Sequence, residues 1–289
     1  MEEISFYSLD GIGLIEENDN LPKRIVESID KEDLELQDND IVVITSKVVS
    51  MYEGRVVDLD NVEPSSRARS IAKETGMLNE EVELIRQEGE ILTSIPIKDI
   101  GRDFLLEQAE DEEEAKEALE NIPSMLITKR NGRICTSAGV DLSNAPEGKA
   151  TLLPEDPDES AKRIRQEIEE MTGKKIAVII SDSEVTLRGG SMDIAIGCSG
   201  IDPIKNDFGS EDLFGQPKVG GVDMLADEIT GASALHFGQT SEKKPVVIAR
   251  GIDYEKGEGI ERNPGLIDKG LKQIILSRLK IKLLKLLHS

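Results

Sequence analysis

The sequence has few of the residues that build several common kinds of functional site. It contains two cysteines, Cys135 and Cys198, which lie far apart without a CxxC pair. This excludes a disulfide framework and a zinc ribbon. Because there are only two histidines, the sequence supports neither a histidine-rich metal centre nor a hydrolase in which histidine activates a nucleophile.

Basic residues are also scarce, because 35 Lys and Arg stand against 58 Asp and Glu and the formal net charge is −23. Phosphate contacts need clustered Lys and Arg, so we expect no nucleic-acid partner. No apolar run approaches the ~20 residues that span a bilayer, and the N-terminus lacks the basic and apolar regions of a signal peptide. We therefore expect a cytoplasmic protein without stable membrane insertion.

Several common signatures are missing as well: GxxxxGK[ST], a strand-linked GxGxxG, HExxH and GxSxG. What remains is an oxygen-rich, acidic set of side chains with scattered Lys and Arg. That set fits Mg²⁺ or Mn²⁺ chemistry on phosphates better than zinc chemistry.

The stretch 176–190 has the clearest pattern of a site. Residues 176–180 are an unbroken, mostly β-branched run, which predicts a central strand covered on both faces. Ser181, Asp182 and Ser183 follow where the strand should emerge, which is where ligands bind in open α/β sheets. A carboxylate between hydroxyls suits a hard cation, and Arg188 on the next loop suits an anion. This stretch alone leaves a merely capping Asp182 about equally open.

Three other segments fit either a ligand site or ordinary structure. In the loop 11–15, GIGLI, glycines would let backbone approach a ligand, although a plain turn is favoured in isolation. Lys47 follows a second buried strand, 41–45, and taken alone is better explained as a surface lysine than as a phosphate ligand. Asp141 lies beyond a hairpin predicted at Asn131 and Gly132, in a loop that an Asx turn explains slightly better.

The remaining pattern predicts mainly helices. They cover 21–29, two segments within 63–89 with Asn79 capping the second, a helix capped near Asp158 and ended by Gly173, and 222–237. Segment 90–123 contains a highly charged helix with a thin apolar face, which indicates a solvated insertion. Segment 266–288 is a basic amphipathic helix that we expect to pack on the domain or a second subunit, with membrane-surface binding as the minority alternative.

Seven phrases, taken in order, resemble the coenzyme F420-0:γ-glutamyl ligase family. They are DIVVITSKVVSMYEGRVV (40–57), SAGVDLSN (137–144), LLPEDPDESAKRIR (152–165), IAVIISDS (176–183), RGGSMDIAIGCSGI (188–201), DFGSEDLFGQP (207–217) and VDMLADEITGASALHFGQ (222–239). Each phrase is weak alone, but seven in one order are specific. The resemblance reverses the surface and turn interpretations of Lys47 and Asp141.

The resemblance implies a GTP-dependent ligase that joins L-glutamate to F420-0, and then to F420-1, through an acyl phosphate. It implies two Mg²⁺ or Mn²⁺ ions, with K⁺ as a further candidate, and a homodimer. The implied metal ligands are Asp141, Asp182, Ser183 and Gln239. The implied nucleotide contacts are Ile12, Gly13, Leu14, Ile15, Ser46, Lys47, Asn144, Gly238, Gln239 and Thr240. Lys47 and Arg188 are the catalytic candidates.

The expected fold is mixed α/β (α+β), with several β-sheets and flanking helices in two interleaved subdomains of one domain, 1–289, and no P-loop. One loop departs from the family pattern: Glu184, Val185, Thr186 and Leu187 stand where members carry a Gly-Arg-Pro-Trp-Arg type sequence. We therefore expect altered acceptor binding. Two alternatives stay open, a ligase acting on another acidic acceptor and a non-catalytic protein that binds nucleotide or F420.

Overall fold

A computed structural model describes residues 3–17, 19–97, 102–109, 111–121, 123–143, 145–186, 190–238, 242–260 and 276. Four of the predicted site residues, Asn144, Arg188, Gln239 and Thr240, lie outside the described residues. So does the predicted C-terminal helix, apart from Leu276. Within the described part, no helix is long and apolar enough to cross a membrane.

Twelve strands and eight α-helices can be assigned within these residues. The strands are β1 (Ser5–Ser8), β2 (Ile41–Thr45), β3 (Val56–Asp58), β4 (Glu90–Ile95), β5 (Met125–Arg130), β6 (Arg133–Thr136), β7 (Lys149–Thr151), β8 (Ala177–Val185), β9 (Ser191–Ser199), β10 (Lys205–Asn206), β11 (Val222–Asp223) and β12 (Val246–Arg250). The helices are α1 (Leu21–Lys31), α2 (Ser46–Tyr52), α3 (Ser66–Thr75), α4 (Asn79–Glu88), α5 (Arg102–Gln108), α6 (Glu112–Asn121), α7 (Pro157–Thr172) and α8 (Leu225–Phe237).

The largest sheet has five strands in the order β1-β12-β2-β8-β9. Only β2 and β8 pair in parallel, with Thr45 opposite Ser181, and the other neighbours are antiparallel. Parallel pairing buries both faces of the two strands, which matches their continuous runs of Val and Ile. β8 is longer than the predicted strand because it continues to Val185 in a hairpin with β9.

Helices cover both faces of this sheet. Alternate residues of each strand point to opposite faces, and they enter two separate hydrophobic clusters. On one face, Val42 and Ile180 pack with Ile25 of α1 and Ile164 of α7. On the other face, Val43, Ile179 and Val247 pack with Ile229 and Phe237 of α8.

A third hydrophobic cluster lies away from the five-stranded sheet. It joins α3 and α4 to the sheet β4-β5-β6 and the pair β3-β7, through residues such as Ala72, Ile85, Leu126 and Ala150. Several sheets with flanking helices confirm the mixed α/β class. The division into two subdomains is compatible with this separate core and stays a prediction.

Local signals were informative about which elements form. Asn20 caps α1 by accepting from the Lys23 backbone N–H at 2.8 Å. The Asn131-Gly132 hairpin is present, with φ of 48° and 76° at these residues, the left-handed pair that a type I′ turn requires.

Three predicted helix starts are wrong by one to three residues. Asp156, not Asp158, caps α7 by accepting from the Glu159 N–H, because Asp158 accepts from the Cys198 and Ile260 N–H groups instead. Asn79 is the first residue of α4 rather than its cap. Helix α8 starts at Leu225 because Val222–Asp223 pairs with β10.

The predicted insertion, 90–123, begins with a strand rather than with a solvated helix. Glu90–Ile95 is β4 and pairs with β5, Ile95 lying opposite Met125. The helices α5 and α6 therefore connect two neighbouring strands. That the segment is an insertion stays a prediction.

Candidate active site

Many of the predicted site residues converge because of strand direction. In the five-stranded sheet, β1, β2 and β8 run one way while β9 and β12 run the other. The loop 11–15 after β1, the start of α2 after β2, and the end of β8 therefore reach the same end of the sheet. Residues 242–245, which lead from α8 into β12, reach it too.

The first two residues of α2 each hold one predicted metal ligand. The Ser46 hydroxyl donates to Asp182 Oδ1 at 2.5 Å, and Lys47 Nζ donates to Asp141 Oδ2 at 2.5 Å. Ser46 reaches Asp182 because Thr45 and Ser181, the residues before them, are partners in the parallel ladder. The structure thus brings Asp141 and Asp182 to one place from distant parts of the chain.

Asp141 is fixed by its own backbone and by its neighbours. Its N–H and C=O pair with Thr151 at 3.0 and 2.9 Å, and its carboxylate accepts from the Ser143 N–H at 2.6 Å and from the Ser143 hydroxyl at 3.0 Å. Lys47 Nζ also donates to the Ser143 carbonyl. The Asx-type turn and the lysine contact therefore occur together.

Gly139 allows the backbone turn that leads into Asp141. Its φ is +72°, and a Cβ at this position would lie 2.2 Å from Leu153. Any other residue would be both strained and in collision there. The loop that carries Asp141 therefore depends on this glycine.

Asp182 lies where negative charge is unfavourable in the absence of a cation. Its pKa is raised to about 7, chiefly by burial and also by the neighbouring carboxylates of Glu184, Asp141 and Asp193, while the hydrogen bond from Ser46 acts in the opposite direction. Burial and like charges both disfavour the ionised form. A strongly perturbed carboxyl at a strand end is a feature of functional sites.

Asp182 and Ser183 point to opposite faces of the sheet, since adjacent strand residues alternate. Asp182 shares its face with Ile180 and Glu184. On the other face, the Ser181 hydroxyl donates to Asp193 Oδ2 at 3.1 Å. One metal ion cannot take the side chains of both Asp182 and Ser183 in this arrangement.

The loop 11–15 is anchored from inside. Ile12 and Ile15 are buried in the core with α1 and α7, whereas Leu14 is 77% exposed. Arg24 Nη1 donates to the carbonyls of Ile12 and Leu14 at 3.2 and 2.9 Å. A ligand could therefore contact only the backbone of this loop and the Leu14 side chain.

Gly238 ends α8 with φ +70° and ψ 171°, a backbone conformation that is essentially confined to glycine. Glycine is thus required at this predicted nucleotide contact, although Gln239 and Thr240 beyond it are not described. Asn144 and Arg188 are not described either.

One contact beside the site, between Glu184 and Thr136, was not predicted from the sequence. Glu184 Oε2 accepts from the Thr136 N–H at 3.0 Å and from the Thr136 hydroxyl at 2.8 Å. No local pattern signals this contact, because it joins β8 to β6 of a different sheet. Glu184 belongs to the altered loop 184–187, so at least one residue of that loop has a structural contact; that the loop changes acceptor binding stays a prediction.

The donor set suits a hard cation that protein ligands hold only in part. Among the described residues, no group of three or more His, Cys, Asp or Glu could hold a metal ion. Mg²⁺ commonly takes one or two carboxylates and completes its shell with water and substrate phosphates. Asp141 and Asp182 fit that pattern.

Comparisons with known proteins point to one family. A family profile described as F420-0:Gamma-glutamyl ligase matches residues 11–251. A protein named coenzyme F420:L-glutamate ligase from Methanothermobacter thermautotrophicus is 34% identical over 252 residues, 87% of this chain and 90% of the relative. Proteins of the same name from Archaeoglobus fulgidus and Methanocaldococcus jannaschii are 33% and 35% identical, covering 89% and 79% of this chain and 90% and 82% of theirs.

Proposed function

The chain belongs to the F420-0:γ-glutamyl ligase family, and we propose that it is a GTP- and metal-dependent enzyme that adds L-glutamate to coenzyme F420-0 and then to F420-1. The relatives' names support glutamate ligation to F420. The observation that carries the proposal is the pair of contacts from consecutive residues, Ser46 to Asp182 and Lys47 to Asp141. It gathers two carboxylates and a lysine where strand ends meet.

Two divalent ions fit this site better than one. Asp141 and Asp182 would hold the first, with nucleotide phosphates completing its shell. Ser183 lies on the opposite face from Asp182, so with Gln239 it would serve a second ion. When bound, Mg²⁺ or Mn²⁺ would neutralise charge on the phosphate oxygens. K⁺ is a further candidate for the same oxygen-rich surroundings.

Lys47 is the described cation best placed for phosphate. Its side chain is about a quarter exposed while it contacts Asp141, so its ammonium can meet a ligand without leaving that carboxylate. A nucleotide lying across the loop 11–15, Ser46 and the segment 238–240 would bring its phosphates to this lysine. Asn144 and Arg188, which the family resemblance also names, are proposed as further contacts.

The proposed chemistry has two steps. A carboxylate oxygen of the acceptor attacks the γ-phosphate of GTP, the bond to the β-phosphate oxygen breaks, and GDP and an acyl phosphate form. The unprotonated amine of glutamate then attacks the acyl carbon, phosphate leaves with the C–O bond electrons, and the proton lost by the nitrogen as the amide forms is taken up as hydrogen phosphate. The protein supplies position and positive charge rather than a covalent intermediate.

We also propose that the chain forms a homodimer. The segment 207–224 exposes several large apolar side chains: Phe208 at 64%, Leu213 at 98%, Phe214 at 87%, Val219 at 91% and Met224 at 46%. Clustered exposed apolar residues are typical of interaction sites. Light scattering at several concentrations measures the mass directly, and a monomer throughout would contradict this part of the proposal.

The function is tested by GTP turnover that requires both substrates. We expect repeated turnover of GTP to GDP only when F420-0, L-glutamate and Mg²⁺ or Mn²⁺ are all present. Acceptor labelled with ¹⁸O in its carboxylate should pass one ¹⁸O to phosphate, since the acyl phosphate retains that oxygen until phosphate leaves. GTP binding without turnover would favour the non-catalytic alternative, and turnover only with other carboxylates would favour a divergent acceptor.

A further inference from the structure

The Thr136 and Glu184 contact lies between two structural units. Thr136 ends β6 in the three-stranded sheet, and Glu184 is near the end of β8 in the five-stranded sheet. One carboxylate oxygen accepts from both the backbone N–H and the hydroxyl of Thr136. A charge-assisted, two-donor contact is stronger and more directional than a single neutral hydrogen bond.

A second contact joins the same two units nearby. Arg133, at the start of β6, donates from Nη1 to the Ile196 carbonyl at 2.8 Å and to the Ala195 carbonyl at 3.5 Å. These carbonyls lie in β9, where the pairing with β8 shifts register. The β5-β6 hairpin is thus held against the β8-β9 hairpin at both ends of β6.

The contact between Glu184 and Thr136 links the strand that carries Asp182 to the segment that carries Asp141. Glu184 lies two residues after Asp182 on the same face of β8. Thr136 leads directly into the 3-10 helix Ser137–Gly139 and then to Asp141. A tie between Glu184 and Thr136 therefore sets how far the Asp182 strand lies from the Asp141 loop.

We propose that Glu184 is a positioning residue that fixes the separation of Asp141 and Asp182 through Thr136, and so tunes metal binding. This inference rests on the proposed function, because it takes the two aspartates as metal ligands. It also gives Glu184, one of the residues that depart from the family's loop pattern, a structural role.

The test compares Glu184→Ala with Glu184→Gln. Alanine removes the contact, whereas the glutamine carbonyl can still accept from both donors of Thr136. We expect Glu184→Ala to weaken binding of Mn²⁺ alone, followed by electron paramagnetic resonance, about tenfold, as loss of outer-shell support typically does. The Mn²⁺ concentration needed for half-maximal GTP turnover should rise in parallel, and Glu184→Gln should stay close to wild type.

Glu83→Ala is a matched control whose hydrogen bonds go to Ser65, Arg86 and Gln87 rather than to β6 or β8. Glu83 also accepts from the N–H and the hydroxyl of one residue, Ser65, at 3.0 and 2.5 Å. Its replacement should lower thermal stability without changing Mn²⁺ affinity. Thr136→Val, which removes only the hydroxyl donor, should weaken Mn²⁺ less than Glu184→Ala and provides the test if that variant does not fold. Adding Thr136→Val to Glu184→Ala should weaken Mn²⁺ no further, because the shared contact is already lost.

The outcomes separate this inference from the proposed function. If wild type binds Mn²⁺ and ligates glutamate but Glu184→Ala and Thr136→Val bind Mn²⁺ equally well, the positioning role is wrong and the function stands. If wild type binds no Mn²⁺ even with GTP present, both are wrong. If Glu184→Gln loses as much affinity as Glu184→Ala, the charge rather than the tie to Thr136 is responsible, and the positioning role is again overturned.

Discussion

Replacing Asp182 by asparagine should stabilise the metal-free protein while abolishing ligation. Asparagine has the same shape and can still accept from the Ser46 hydroxyl, but it carries no charge. The neighbours of Asp182 include other carboxylates, so the charge is costly until a cation arrives. Functional sites often carry such locally unfavourable groups.

The pKa of Asp182 is raised from 3.8 to about 7 in the folded protein. This shift sets both the size of the stability gain expected for Asp182→Asn and the pH range in which it appears. Below about pH 4 the carboxyl is neutral in both states and costs nothing. Between about pH 4 and pH 7 the unfolded chain ionises while the folded protein keeps the proton, so the free energy of unfolding falls by about 1.36 kcal/mol per pH unit and levels off above about pH 7. Because the side chain is half-buried, we expect the charge of Asp182 to lower the free energy of unfolding by on the order of 2 to 4 kcal/mol above pH 7.

Urea unfolding with a chelator at pH 4.5 and pH 8 measures this difference. Asp182→Asn should exceed wild type by on the order of 2 to 4 kcal/mol at pH 8, and by about 1 kcal/mol or less at pH 4.5. Asp40→Asn is the control, because Asp40 is a buried aspartate that accepts from Arg250 at 2.7 and 2.8 Å, so its loss should destabilise. A less stable Asp182→Asn at pH 8 would refute the reasoning.

Three further predictions concern other parts of the chain. Lys47→Met should change stability by less than about 1 kcal/mol, because the ion pair with Asp141 is partly exposed, yet lower kcat/KM for GTP about tenfold to a hundredfold; unchanged kinetics would exclude a phosphate role. Replacing residues 96–124 by an Asn-Gly turn should preserve most activity, since Ile95 and Met125 are already hairpin partners; loss of ligation or of the dimer would make this segment functional. Hydrogen bonds donated by Ser65 lower the pKa of Glu83 to about 2. The Glu83 carboxylate therefore stabilises the fold above about pH 4.5, and this stabilisation is lost as pH falls towards 2. In urea unfolding, Glu83→Gln should be less stable than wild type at pH 7, and the two proteins should be equally stable near pH 2.

The strands of the main sheet could be predicted because they are buried on both faces. Their apolar runs at 41–45 and 176–180 need no partner to be recognised. The Asn131-Gly132 turn likewise has a local cause, since few other residue pairs adopt its two positive φ angles easily. Helix starts were less predictable: Asp156 and Asp158 are equally good caps by composition, and a tertiary contact to Cys198 decides between them.

The site was predictable only in part. The resemblance named Asp141, Asp182, Ser46 and Lys47, but not that Ser46 and Lys47 each contact one aspartate. Those contacts depend on the register between β2 and β8, which sequence spacing does not contain. The contact of Glu184 was missed for a similar reason, because its partner Thr136 belongs to another sheet.

Mass spectrometry of the acceptor is the most direct test of the central claim. Purified protein is incubated with F420-0, L-glutamate, GTP and Mg²⁺ or Mn²⁺, beside Asp182→Asn under the same conditions. The account predicts F420 species carrying one and then two glutamyl residues with the wild type, and unmodified F420-0 with the variant. Unmodified F420-0 with the wild type, at saturating substrates and metal, would contradict it.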